Sequence, residues 1–127
     1  MLTANGPVGS SNIRTYTGPP GTGYGLALIQ GATDDAVALP TVANVACVGI
    51  NNETDIANSG VLGIVMSGET IAIAGAVNIA AGTYLVNAIG GQLIPSTAIG
   101  DNVTAKALTS SVNIGDEIVV EMTRFIR

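Results

Sequence analysis

The apolar stretches of this chain are short, and turn residues cut them at near-regular intervals. From Gly25 onward the sequence offers "GLALI" (25–29), "VACVGI" (45–50), "VLGIVM" (61–66), "TIAIAG" (70–75), "TYLVNA" (83–88), "QLIP" (92–95), "VTAKAL" (103–108) and "EIVVEMTR" (117–124). No segment sustains an amphipathic helical period over three turns. Short strands separated by turn signals are the pattern of an all-β sandwich or barrel. The intervening "NNETD", "ANSG", "SGE", "AAG", "IGG", "IGD" and "NIGDE" supply residues that tolerate positive φ or bond to their own backbone.

The last run is the most explicit. Ile118, Val120 and Met122 alternate with Glu117, Glu121 and Thr123, a strand with one core face and one wet face. Phe125 breaks the alternation, as at a bulge or at a strand end that packs on a neighbour. Sandwich, barrel and jelly roll share this pattern, so the expectation is a small all-β body without an assigned strand order. Residues 1–24 differ from it: Gly6, Pro7, Gly9, Gly18, Pro19, Pro20, Gly21 and Gly23 punctuate a segment with little apolar period. The expected organisation is an extended N-terminal arm over 1–24 and a β-rich body over 25–127.

Within the arm, "GPPGTGYG" (18–25) has the glycine spacing of a phosphate-binding P-loop. Tyr24 and Gly25 stand where that chemistry needs a lysine and a hydroxyl, and no strand-to-helix junction surrounds them. It reads as a piece of arm stiffened by Pro19 and Pro20. A second echo, "VNIAAGTYLV" (77–86) and "VNIGDEIVV" (112–120), reads as common turn chemistry rather than a repeat.

Charge narrows the function. Charged residues make up 10% of the 127 positions, against about 25% in ordinary soluble domains, so an exposed apolar surface must be covered by a partner. That points to an assembly component. Arg14, Lys106, Arg124 and Arg127 are the only cations, too few for a basic stripe, and neither nucleic acid nor an anionic membrane is an expected partner. The uncharged stretch 70–100 is interrupted by Asn78, Asn87, Gln92 and the pair Gly90–Gly91, and it alternates as strands do. The N-terminus lacks the basic-then-apolar order of a secretory signal.

Catalysis has little to work with. The chain has no histidine, which removes serine triads, activated cysteine pairs and most zinc sites. Cys47, alone in "VANVACVGI", has no partner for an intrachain disulfide and reads as a buried, inert thiol. Asp34, Asp35, Asp55, Asp101, Asp116 and Glu117 remain as candidates. "NNETDIANSG" (51–60) has oxygen ligands without the spacing of a calcium loop, so these are read as turn residues. No enzyme activity, metal or cofactor is expected.

The order of motifs adds a family. "SGETIAIAGAVNIAAGTYLV", then "GGQLIPSTAIGDNVTAKAL", then "NIGDEIVVEM" resembles the capsid decoration, or cement, proteins of tailed double-stranded DNA bacteriophages. The landmarks are Ala81 and Gly82 before Tyr84–Val86, then Gly90 and Gly91, Gly100 and Asp101, and Gly115 and Asp116, and the resemblance covers residues 60–124. The resemblance implies a homotrimer on the outer surface of the expanded head, stabilising the capsid by bridging capsomers, with the major capsid protein as partner. It also implies an arm that runs onto the shell or an adjacent copy. The protein-binding candidates are then Arg14, Tyr16, Pro19, Pro20 and Tyr24 on the arm, with Phe125 at the far end. A second reading is another β-structured virion surface protein, a head fibre or spike component that binds a receptor or glycan.

Overall fold

The computed structural model describes residues 12–127; residues 1–11, the first part of the expected arm, lie outside the described residues. The described chain is all-β, with ten strands in two five-stranded sheets. The first sheet takes β1 (Asn12–Thr17), β2 (Ala27–Gln30), β3 (Val37–Ala38), β4 (Gly49–Asn51) and β5 (Val61–Ser67). The second takes β6 (Glu69–Ile73), β7 (Tyr84–Asn87), β8 (Leu93–Pro95), β9 (Asn102–Ala107) and β10 (Glu117–Ile126). All strand pairs within the sheets are antiparallel.

The two sheets have the same topology. The first runs β1-β5-β4-β2-β3 and the second β6-β10-β9-β7-β8, which is that order repeated five strands later. Registers repeat as well: a shift of 56 residues carries Tyr16–Leu62 onto Ala72–Ile118, and Ile50–Val65 onto Lys106–Glu121. Each sheet curls until its outer strands meet through one parallel bridge, Thr17 to Ala36 in the first and Ala74 to Leu93 in the second. Even the turn geometry recurs, with positive φ at both Gly25 and Gly82, and at both Asn44 and Gly100.

Core positions follow the repeat. Tyr16, Leu28, Val37, Leu62 and Ile64 form one buried cluster. Their counterparts Ala72, Leu85, Leu93, Ile118 and Val120 all lie in the other. That second cluster also takes in Ala27, Cys47 and Ile50 from the first sheet, so the two units share apolar burial and the pair folds as one body. Cys47 is buried, its thiol pushed up by desolvation, and its Sγ donates to the Val45 carbonyl at 3.6 Å.

Residues 12–24 of the expected arm lie against this body. Asn12–Thr17 pairs along β5, the Gly18 amide donates to the Gly60 carbonyl at 2.8 Å, and the Gly25 amide donates to the Asn51 carbonyl at 2.7 Å. The strand was hard to foresee because only Tyr16 of its six residues is buried, which leaves no alternation to read. The alternation of the last run holds through Val120, and a register irregularity falls between Met122 and Phe125, where the pattern breaks. The uncharged stretch 70–100 runs as strands and turns, and no described helix is long and apolar enough to cross a membrane.

Candidate contact surfaces

The loop that mimics a P-loop is a closed turn. The Thr22 amide donates to the Pro19 carbonyl, the Gly21 amide to Asp55 Oδ2 at 3.0 Å, and the chain then enters strand β2 rather than a helix. The amides of Gly18, Gly21, Thr22 and Tyr24 are engaged inside the fold. Asp55 ties the turn to its neighbour, accepting also from the Gly60 amide at 2.8 Å and from the Ser59 amide and hydroxyl at 3.1 Å each.

Asp101, at a position that is not equivalent, ties down a loop of the second unit. It accepts from Ser96 Oγ and Asn44 Nδ2 at 2.8 Å and from the amides of Thr97 and Ala98 at 3.0 Å, which joins the loop at 96–101 to the first unit. These donors hold both carboxyls well below the usual range, to about 2: Asp55 chiefly through the Gly21 and Gly60 amides, Asp101 chiefly through the Ala98 amide and the Ser96 hydroxyl. A depressed carboxyl stabilises the fold above its unfolded value of 3.8 and loses that contribution as pH falls towards its folded value. The expected result is a urea midpoint that is level near neutrality and drops between pH about 4 and about 2. Asp55→Asn with Asp101→Asn should lower the neutral midpoint and flatten the drop; an unchanged acid limb would show that these two carboxyls do not set it.

The residues singled out from sequence are dispersed. Tyr16 is only 4% exposed; it is spent on the chain's own core, and its hydroxyl donates to Met66 Sδ at 3.7 Å. Arg14 is exposed beside it, its guanidinium 5.0 Å from the Tyr16 ring centre and 3.7 Å from Asp35. Pro19 and Tyr24 are half-buried and Pro20 is exposed in the closed turn. Phe125 is 41% exposed at the opposite sheet and meets the Tyr84 ring edge-on at 5.2 Å.

Sequence reasoning missed the strongest exposed apolar positions, which sit on loops. Ile56 and Ile99 are almost wholly exposed, and Val77, Val112 and Ile114 are exposed on adjoining turns that the Asn78 amide to Val112 carbonyl bond joins. Their signal was an isoleucine or valine inside a turn motif, as in "TDIANSG" and "TAIGD", where local structure needs no large apolar side chain. The cleft beside Ile56 is lined by Glu53 and Asp55, but both Asp55 oxygens already accept backbone amides. Among the described residues no group of three acidic or thiol side chains converges as metal ligands would.

No family model matches the chain, and no curated protein is similar to it in sequence. In three dimensions the chain is similar to the N base of the head fiber gp8.5 of bacteriophage phi29, with a TM-score of 0.67 at 15% identity, over 93% of this chain and 98% of that one. At that identity the likeness is one of fold.

Proposed function

We propose that this protein is a structural component of a bacteriophage virion, seated on the outer surface of the head, where it stabilises the expanded shell by bridging capsomers. The observation that carries the reading is the fold it shares, over nearly the whole of both chains, with the base of a fibre borne on a phage head. The motif order from Ser67 to Met122 and the scarcity of charge support it. The partners are the major capsid protein and further copies of this chain; neither cofactor nor catalysis is involved. Exposed side chains such as Val77, Val112 and Ile114 give each copy a modest apolar contact. Copies that hold one another as well as the shell gain effective concentration, so weak contacts add up to durable attachment.

The same neighbour favours a second reading, the base of a head fibre, in which the body is an anchor and not a clamp. Co-sedimentation with expanded heads that lack the protein tests both. The full chain should bind saturably and raise the temperature at which heads release their DNA. Binding without stabilisation selects the fibre-base reading, and no binding overturns both. A truncation that probes the arm must begin at Asn12, because starting at Gly25 removes strand β1 and the buried Tyr16 with it.

A further inference from the structure

The two units of one chain meet through a hydrogen-bonded contact. Inside the chain, the hairpin of the second unit covers the first: the Ala27 amide donates to the Gly91 carbonyl at 2.8 Å and the Gly90 amide to the Pro40 carbonyl at 2.9 Å. Asn87 completes the cover, its Oδ1 accepting the Val45 amide at 2.9 Å and its Nδ2 donating to the Val42 carbonyl at 3.0 Å. The receiving stretches are Leu26–Ala27 and Pro40–Val45.

Moved along by one unit, those stretches become Thr83–Tyr84 and Ser96–Asp101. Here Tyr84 is 38% and Ile99 94% exposed, while Ser96 and Asp101 at the ends of the second stretch are buried. Moved back by one unit, the covering hairpin becomes Gln30–Val37, whose tip at Asp34 and Asp35 is also exposed. Gln30 stands where Asn87 does, and its Nε2 holds the loop in shape by donating to the Thr33 carbonyl at 2.6 Å and the Ala36 carbonyl at 3.2 Å.

We propose that copies of this chain join head to tail at the places equivalent to the internal contact, the 31–36 loop of one copy seating on Tyr84 and Ile99 of the next. Charge fits the pairing: the donating loop carries Asp34 and Asp35, and Arg127 lies against the receiving loop, donating to Ser96 O and Oγ at 3.1 Å each. Asp35 already faces Arg14 of its own chain, so Asp34 is the acid that reaches across. Such a contact uses different patches on the two partners, and it closes into a ring when its rotation allows. The inference rests on the repeated topology and not on the head-surface reading.

Sedimentation velocity of the full chain over a micromolar range tests it without heads. The wild type should form a discrete closed oligomer. Ile99→Asp and Asp34→Arg should each weaken association about tenfold or more, while their thermal midpoints, read at a dilution where the wild type is also monomeric, match the wild type because both side chains are exposed. Asp34→Arg combined with Arg127→Glu should restore association. A monomeric wild type, an oligomer that tolerates both single variants, or a double variant that fails to recover would each overturn the proposal.

Discussion

Leu85→Ala is expected to lower the unfolding free energy by about 3 kcal/mol, and Leu28→Ala by a similar amount. The two leucines occupy equivalent places in the two units, and each is fully buried. Truncation removes apolar area and leaves a cavity that a close-packed surround fills only in part. Small cores leave few neighbours to move: Leu28 packs with Tyr16, Val37, Leu62 and Ile64, and Leu85 with Ala72, Leu93, Ile118 and Val120. Ala27, Cys47 and Ile50 of the first unit belong to the second unit's cluster, so both variants should unfold in a single urea transition with an unchanged slope. Two separated transitions in either variant would show that the units are independent, and an effect from only one leucine would show that the shared topology does not carry shared energetics.

The sequence was most legible where a strand has one wet and one buried face. Ile118 and Val120 against Glu117 and Glu121 defined the last strand directly, and the all-β class followed from the spacing of its fellows. Strand β1 escaped because "NIRTYT" buries a single side chain, and β3 because two residues carry no period. The repeat escaped for a different reason. Equivalent inner positions accept any apolar residue that fills the space, so Tyr16 answers to Ala72 and Leu62 to Ile118. Equivalent outer positions differ in kind, because one face is covered and the other is open: Ala27, Ile50 and Val65 are buried, whereas Tyr84 and Glu121 are exposed and Lys106 is half-buried. The audible echo, "VNI" at 77 and again at 112, lies on two different turns of the same unit, which touch each other through the Asn78 amide and the Val112 carbonyl. It is turn chemistry, and the true period is written in registers rather than residues.

The seam between the units supplies the second large effect, and it turns on one atom. Gly91 sits at φ +98°, a conformation that costs an L side chain about 1–2 kcal/mol, and a Cβ there would lie 2.6 Å from the Ala27 carbonyl oxygen and 3.1 Å from its nitrogen. Neither neighbour is a side chain that can rotate away. Ala27 is a buried strand residue paired with Ile50, and its amide already donates to the Gly91 carbonyl, so relief requires the hairpin at 87–93 to lift off the first unit. Gly91→Ala should therefore cost about 3 kcal/mol. Gly90→Ala is the control: its φ of +87° imposes the same strain, but a Cβ there meets nothing within 4 Å, so the loss should stay near 1 kcal/mol. The difference between the two, read from urea midpoints at equal slope, isolates the steric contact from the backbone preference. Equal losses would mean that the hairpin is not held against Ala27 in solution, and the contact proposed between copies would lose the internal example on which it is patterned.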